Sequence, residues 1–259
     1  MLLLKLGGSV ITDKNRLNVV RKRILNRLSK EISMVDDKII IVHGAGSFGH
    51  ILAERYRLND GYSNENQLEG FALTHRNVRV LNNIVLDSLT SAGIPSISIP
   101  PISFIELDNR KPKQVNLKTF RKTLDSNFVP VTFGDVVFDV SLHFSICSGD
   151  LLMILLAKEF KPDRVVFAID EDGIYSKNPK KYKNARLLTE LSRDELSKIT
   201  TDLTYSDVTG GMEGKLNSIA EIAGMGIDVV VVNGNKRDRV YRALTRRRTK
   251  GTIIYGEVT

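Results

Sequence analysis

Cysteine is all but absent: Cys147 is the one cysteine in 259 residues. That excludes an internal disulfide framework and a multi-cysteine zinc site, and it fits a reducing cytoplasm. Cys147 lies in an alternating apolar run, where a lone thiol reads as packing. No stretch reaches the roughly 20 apolar residues of a membrane helix, and Leu151 to Ala157 reads as soluble core. The patch Met1 to Val10 is interrupted by Lys5 and lacks the basic-then-apolar order of a secretion signal. Internal repeats, low-complexity tracts and Pro/Gly/Ser-rich linkers are also missing. A soluble cytoplasmic protein is expected, built as a single domain over residues 1–259, because 42% hydrophobic content can bury a sizeable core.

Acidic residues are the scarcer charge, 30 against 38 Lys plus Arg, for a formal net charge of +8. The excess is densest at Arg246, Arg247, Arg248 and Lys250, which reads as a solvated face. No aromatic-interleaved basic patch, zinc-finger spacing or RNA-binding signature accompanies it, so no nucleic-acid partner is expected. A positive field still favours anionic small molecules such as nucleotides and phosphate esters.

Short apolar runs alternate with longer amphipathic ones, the pattern of parallel strands joined by crossover helices, and the fold is expected to be α/β. Strands are expected at Leu2 to Leu6, Lys38 to His43, Ser96 to Ile99, Val129 to Phe133, Arg164 to Ile169, Asp228 to Val232 and Thr252 to Tyr255. Helices are expected near 19–34, 47–56, 66–92, 117–126, 150–160, 212–224 and 237–245. A hairpin is expected over Val136 to Cys147. A division near Lys161-Pro162 separates two lobes, 1–160 and 161–259, that share one sheet.

Three glycine clusters follow or adjoin strand ends, the edge where open parallel sheets bind ligands. In Lys5-Leu6-Gly7-Gly8-Ser9 a strand empties into paired glycines, whose missing Cβ atoms let a phosphate approach the backbone N–H groups beside a lysine. The second, His43-Gly44-Ala45-Gly46-Ser47-Phe48-Gly49-His50, satisfies G-x-G-x-x-G. No strand with an acidic ribose-binding residue follows, since Arg57 to Gln67 is polar and turn-rich, so it reads as a helix N-terminus that captures an anion. His50, one residue past the turn, is placed to donate to that anion; His43, His75 and His143 receive no role. In the third, Asp207 to Lys215, a lysine one turn into a helix faces back to a glycine turn, without the spacing of a Walker A motif. Neither Ser148-Gly149-Asp150 nor Asp170 to Tyr175 makes a metal site, having no HExxH or EF-hand spacing.

Together, K-x-G-G-S, a strand followed by H-G-x-G, D-x-D-G-I-Y and T-G-G-M-x-x-K resemble the amino acid kinase superfamily in order and over nearly the whole length. Gly8-Ser9-Val10-Ile11-Thr12-Asp13-Lys14 and HGAGSFGH are most similar to the isopentenyl phosphate kinase family within it. The resemblance implies an open α/β/α sandwich with a mainly parallel central sheet, a homodimer, the acceptor isopentenyl phosphate on the N-terminal half and ATP on the C-terminal half. Magnesium would come with the nucleotide phosphates.

Carried over by position, the resemblance makes Lys5, Lys14 and Lys215 the cations around the transferring group and Asp150 the residue that orients them. Lys5, Leu6, Gly7, Gly8, Ser9, Gly46, Asp170, Tyr175, Gly211 and Lys215 would border the nucleotide. Ala45, Gly46, Gly49, His50 and Gly149 would hold the acceptor phosphate, with Phe71, Thr74, Val131 and Ile146 around its hydrocarbon. Many relatives have Gly where Ala45 stands and Thr where Ile169 stands; the second departure removes a hydroxyl near the nucleotide. Two other readings stay open: a kinase for another small phosphate or phosphonate such as fosfomycin, and a nucleotide-binding regulator.

Overall fold

The structure, a computed structural model, describes residues 1–201 and 211–256. Its first half runs β1 (Leu2–Leu6), α1 (Gly8–Ile11), α2 (Lys22–Ser33), β2 (Ile39–His43), α3 (Gly46–Arg55), α4 (Asn66–Ser91), β3 (Ser96–Ser98), β4 (Ile105–Asp108) and β5 (Lys111–Val115). Then follow α5 (Lys118–Asp125), β6 (Val129–Phe133), β7 (Asp135–Asp139), β8 (His143–Cys147) and α6 (Gly149–Phe160). The remainder is β9 (Arg164–Ile169), β10 (Glu190–Leu191), α7 (Arg193–Thr201), α8 (Gly211–Ala223), β11 (Val229–Asn233), α9 (Arg239–Leu244) and β12 (Gly251–Ile254).

Among the described residues eight strands make one sheet in the order β10-β12-β11-β9-β1-β2-β6-β3. It is parallel except that β12, with β10 beside it, runs against β11. Every residue of β1, β2 and β11 is buried, as strands covered on both faces must be. Alternation sorts their side chains. Leu3 joins Phe120, Leu152, Leu156 and Ile219 on the face covered by α5, α6 and α8, whereas Leu2, Leu4 and Leu6 join Leu25, Leu28, Leu81 and Leu244 on the face of α2, α4 and α9. In α2 the buried Leu25, Leu28, Ser29 and Ile32 recur at helical spacing. The result is the three-layered α/β/α sandwich with a mainly parallel sheet, and strands of both halves of the chain meet at β1, which pairs β2 on one side and β9 on the other.

A second sheet, β5-β4-β7-β8, contains the hairpin foreseen at 136–147 and another, β4 to β5, that was not. Asp139 ties the two tips together. Its carboxylate accepts from the N–H groups of Asn109 and Arg110 (2.9 and 2.8 Å) and from the Ser145 hydroxyl (2.8 Å). Asn109 and Arg110 both have positive φ, 49° and 65°, as a tight two-residue hairpin turn requires. β5 reads Lys-Pro-Lys-Gln-Val and is exposed throughout, so it carries no apolar alternation by which to find it; its lysines and proline suit an unpaired edge. No helix among the described residues is long and apolar enough to cross a membrane.

Candidate active site

The carboxyl edge of the sheet is built from glycines that follow strands. Gly7 N–H donates to Ala168 O (2.9 Å), Gly44 N–H to Leu6 O (2.9 Å), Gly134 N–H to His43 O (3.1 Å) and Gly234 N–H to Ile169 O (2.8 Å). The first two glycine clusters press backbone against backbone: a Cβ on Gly8 would lie 2.6 Å from Gly46 N, and one on Gly44 would lie 2.6 Å from Gly8 N. Buried Thr12 fastens them. Its hydroxyl donates to Gly8 O (2.8 Å) and accepts from Ser47 N–H (3.0 Å) in the first turn of α3. Ala45 at the α3 N-cap brings no side-chain acceptor of its own, so apart from the Thr12 bond to Ser47 the helix N-terminus presents its dipole to whatever lies in front of it.

These turns open onto a cleft of about 540 Å³. Lys5, Gly7, Gly8, Ser9, Lys14, Ala45, Gly46, Gly49, His50, Thr74, Ile146, Gly149, Asp150, Asp170, Tyr175 and Lys215 all line it. Lys5, the one charge in an otherwise apolar strand, is 5% exposed. Its Nζ lies 2.5 Å from Asp150 Oδ1 at the start of α6 and 5.6 Å from the centre of the Phe167 ring. Ser218 of α8 donates to the same Asp150 oxygen (3.3 Å) and to Lys215 O (2.8 Å), tying α6 to the helix that carries Lys215. Burial holds the Lys5 ammonium down to about 8, with Lys215 pushing the same way and Asp150 opposing. Protein packed around the His50 ring, and then the charges of Lys5 and Lys215, hold its imidazole below the ordinary range even though part of its surface meets solvent.

Across the cleft, Asp170 Oδ2 lies 4.0 Å from Lys14 Nζ and 3.6 Å from Lys180 Nζ, while Lys180 also pairs with Glu171 at 2.7 Å. Burial alone would raise the Asp170 carboxyl; Lys180, the Ser9 hydroxyl and Lys14 outweigh it and hold it below the usual range. Next to this polar end, Ala53, Val78, Val136 and Ile146 form an apolar wall.

A model described as the amino acid kinase family matches residues 1–233. The chain belongs to that family. It is 39% identical to an isopentenyl phosphate kinase of Methanothermobacter thermautotrophicus, over 99% of this chain and 100% of the relative. It is 37% identical to one of Thermoplasma acidophilum, over 93% and 94%. A solved isopentenyl phosphate kinase superposes with a TM-score of 0.87 at 36% identity, over 98% of this chain and 99% of that one. A substrate complex of an isopentenyl phosphate kinase superposes with 0.83 at 32% identity, over the same shares.

In this amino acid kinase three of the expected residues stand away from the cleft wall. Leu6 and Val131 are fully buried in the core beneath α2 and α4, because strand alternation turns their side chains to the face opposite Lys5. Phe71 is a layer behind. It stacks on Phe138 (5.9 Å), meets Phe144 at a tilt (5.4 Å) and packs on Ala53 and Val136, which do line the cleft. Gly211 opens α8, and the segment 202–210, with most of the third glycine cluster, lies outside the described residues.

Some residues of the site went unnoticed in the sequence. Lys180 and Lys181 line the cleft from the run Ser176 to Asn184, whose uniform polarity reads as a solvated loop. Asp135, 3% exposed, accepts from or shares a proton with His75 Nδ1 at 2.7 Å, and burial raises its carboxyl pKa. A carboxylate at a strand start and a helical histidine 60 positions away leave no signature of such a pairing.

Proposed function

We infer that the chain transfers the terminal phosphoryl group of ATP to isopentenyl phosphate, releasing isopentenyl diphosphate and ADP. The observation that carries this reading is one cleft in which Lys5, Lys14, Lys215 and the α3 N-terminus converge beside an apolar wall. Phosphoryl transfer spreads negative charge over the transferred oxygens, so positioned cations and N–H dipoles are the catalyst. Lys5 and Lys215 meet the transferring group, Asp150 holds Lys5 in place, and Lys14 with Asp170 borders the nucleotide. The acceptor is a phosphate monoester whose second pKa is about 6, so it brings its own nucleophilic oxygen at neutral pH and needs no general base. The isopentenyl phosphate kinases at 39% and 37% identity support the acceptor assignment.

Magnesium fits as a passenger on the nucleotide phosphates. Among the described residues no three His, Cys, Asp or Glu side chains cluster to hold an ion, and Asp150 and Asp170 are engaged by lysines.

ADP release with Mg-ATP and, in parallel, isopentenyl phosphate, dimethylallyl phosphate, fosfomycin, UMP, acetylglutamate and mevalonate tests the reading. Preference for isopentenyl phosphate is expected. Turnover of fosfomycin alone would keep the kinase and replace its acceptor, and silence with all six would favour a regulator.

His50 is held below its ordinary pKa, so at neutral pH it is an uncharged ring that donates one N–H to the acceptor phosphate. His50→Ala is expected to weaken acceptor use by roughly 10- to 100-fold, the worth of a hydrogen bond to a charged group, with ATP affinity retained. Steady-state kinetics with each substrate varied separates the two; an unchanged acceptor KM and kcat would remove His50 from the site.

The five-carbon tail lies along the apolar wall, where each buried CH₂ contributes about 0.8 kcal/mol. Phe71 backs that wall, and Phe71→Ala opens space behind Ala53 and Val136. Longer prenyl phosphates are expected to gain relative to isopentenyl phosphate in kcat/KM, and an unaltered chain-length profile would refute the assignment.

A further inference from the structure

A groove of about 760 Å³ lies apart from the cleft, between α9, the chain that follows it, and the β10-β12-β11 edge of the sheet. Among the described residues eight cationic side chains and two carboxylates line it, a net of six positive charges, against a formal +8 for the whole chain. Most of these cations lack a carboxylate partner among the described residues. Among the described residues no carboxylate forms an ion pair with Arg237, Arg242, Arg246, Arg247 or Arg248. The two that are paired, Arg239 and Lys250, both hold Asp172, each at 2.7 Å. Arg246, two residues past the end of α9, has φ at 57°, and Arg247 and Arg248 follow it along the groove.

Concentrating like charge is unfavourable, and the groove shows that cost. Two buried polar atoms in its lining, Arg164 Nε and Thr249 Oγ1, have no hydrogen-bond partner among the described residues. Burial, and then the neighbouring Arg246, lower the pKa of Arg164. A bound anion would relieve both conditions at once. Arginine is the suited donor, since its planar fork meets phosphate oxygens two at a time.

We propose that this groove is a second anion site, which takes a small molecule bearing linked phosphates, a diphosphate or triphosphate. Its volume lies in the range of about 300–1,000 Å³ found for small-molecule sites. Among the described residues no Phe, Tyr, Trp or His lines it, so they offer no platform on which bases would stack, which argues against single-stranded nucleic acid. The charge there is too concentrated for a single carboxylate and matches the three to four charges of linked phosphates. The site is independent of the acceptor assigned to the cleft.

The test is calorimetric titration of inorganic tripolyphosphate into the full chain whose cleft is already saturated with a non-hydrolysable ATP analogue. One further equivalent is expected to bind, more weakly as salt rises. In Arg247→Gln/Arg248→Gln its affinity is expected to fall about 100-fold or more, since two charge-assisted hydrogen bonds to the anion are lost. Unchanged turnover of that variant in the ADP assay shows that it is folded and that the loss belongs to the groove. A second equivalent of the ATP analogue that binds more tightly than tripolyphosphate would name a nucleoside triphosphate as the occupant; equal binding would name the bare phosphate chain. Either supports the site. No binding once the cleft is filled, or binding indifferent to the two substitutions, would overturn it. Tighter binding of an oligonucleotide, lost in the same variant, would overturn the small-molecule reading in favour of nucleic acid.

Discussion

Lys5→Met is expected to lower kcat about 10³-fold while leaving the protein folded and ATP affinity within a few-fold, since a preorganised charge at a developing anion contributes on that order. Methionine keeps the length and apolar stem that lie along the Phe167 ring and fill the space beneath Gly149. What is removed is the charge alone. Asp150 then loses its closest cation but keeps the Ser218 hydroxyl and an opening to the cleft, so a collapse of the fold is not expected. Single-turnover measurement with saturating ATP reads the chemical step directly, and a rate within about threefold of wild type would remove Lys5 from the transferring group.

The same lysine predicts a pH dependence in which activity and stability move in opposite directions. Burial holds its pKa down to about 8, against an ordinary 10.5. The cation is therefore lost from the free enzyme as pH rises through about 8, and kcat/KM should fall above that point. For stability the sign reverses. Between about 8 and 10.5 the unfolded chain binds the proton and the folded one does not, so the free energy of unfolding gains a rising contribution across that window. Burying the charged form costs stability at neutral pH, and the cost is relieved as the proton leaves. Denaturant midpoints of wild type and Lys5→Met compared over this range should converge differently on either side of pH 8; parallel curves would show that Lys5 titrates elsewhere.

What the sequence discloses about this site depends on whether a residue's role is local. Lys5 interrupts five apolar residues and sits two positions before a glycine pair, so its exceptional place in a strand is written in its neighbours. The helix N-termini after Gly46 and Ser148 likewise follow from glycine turns at strand ends. Thr12 is the opposite case. Nothing between Ile11 and Asp13 marks a threonine whose hydroxyl bridges Gly8 and Ser47, since that role exists only once β1 and β2 lie side by side. Val131 shows a second limit. β6 is buried on both faces, so no polar alternation reveals which of its residues face α4 and which the other layer, and only pairing with β2 decides it. The β4–β5 hairpin escaped notice because Asp139 supplies its turn with acceptors from 29 and 30 residues away.

Gly46→Ala probes the most sensitive of these non-local contacts. Gly46 has φ of 51°, which costs an L-residue about 1–2 kcal/mol. The added Cβ would lie 2.2 Å from Thr12 Oγ1, so Thr12 must leave its place and abandon Gly8 O and Ser47 N–H, at about 1–3 kcal/mol for each buried group left unpaired. A loss of about 3–5 kcal/mol is expected, and with it a fall in Tm of roughly 10 °C for a chain of this size. Because both glycine turns shift, kcat/KM should fall at least about 10²-fold, the penalty for displacing reacting groups by about an ångström. A double-mutant cycle separates the clash from the strain. Thr12→Ala should destabilise the wild type but cost much less, or even stabilise, in the Gly46→Ala background, since there it removes the obstructing hydroxyl. Additive effects would mean that the two residues do not meet, and that the glycine is required for its backbone conformation alone.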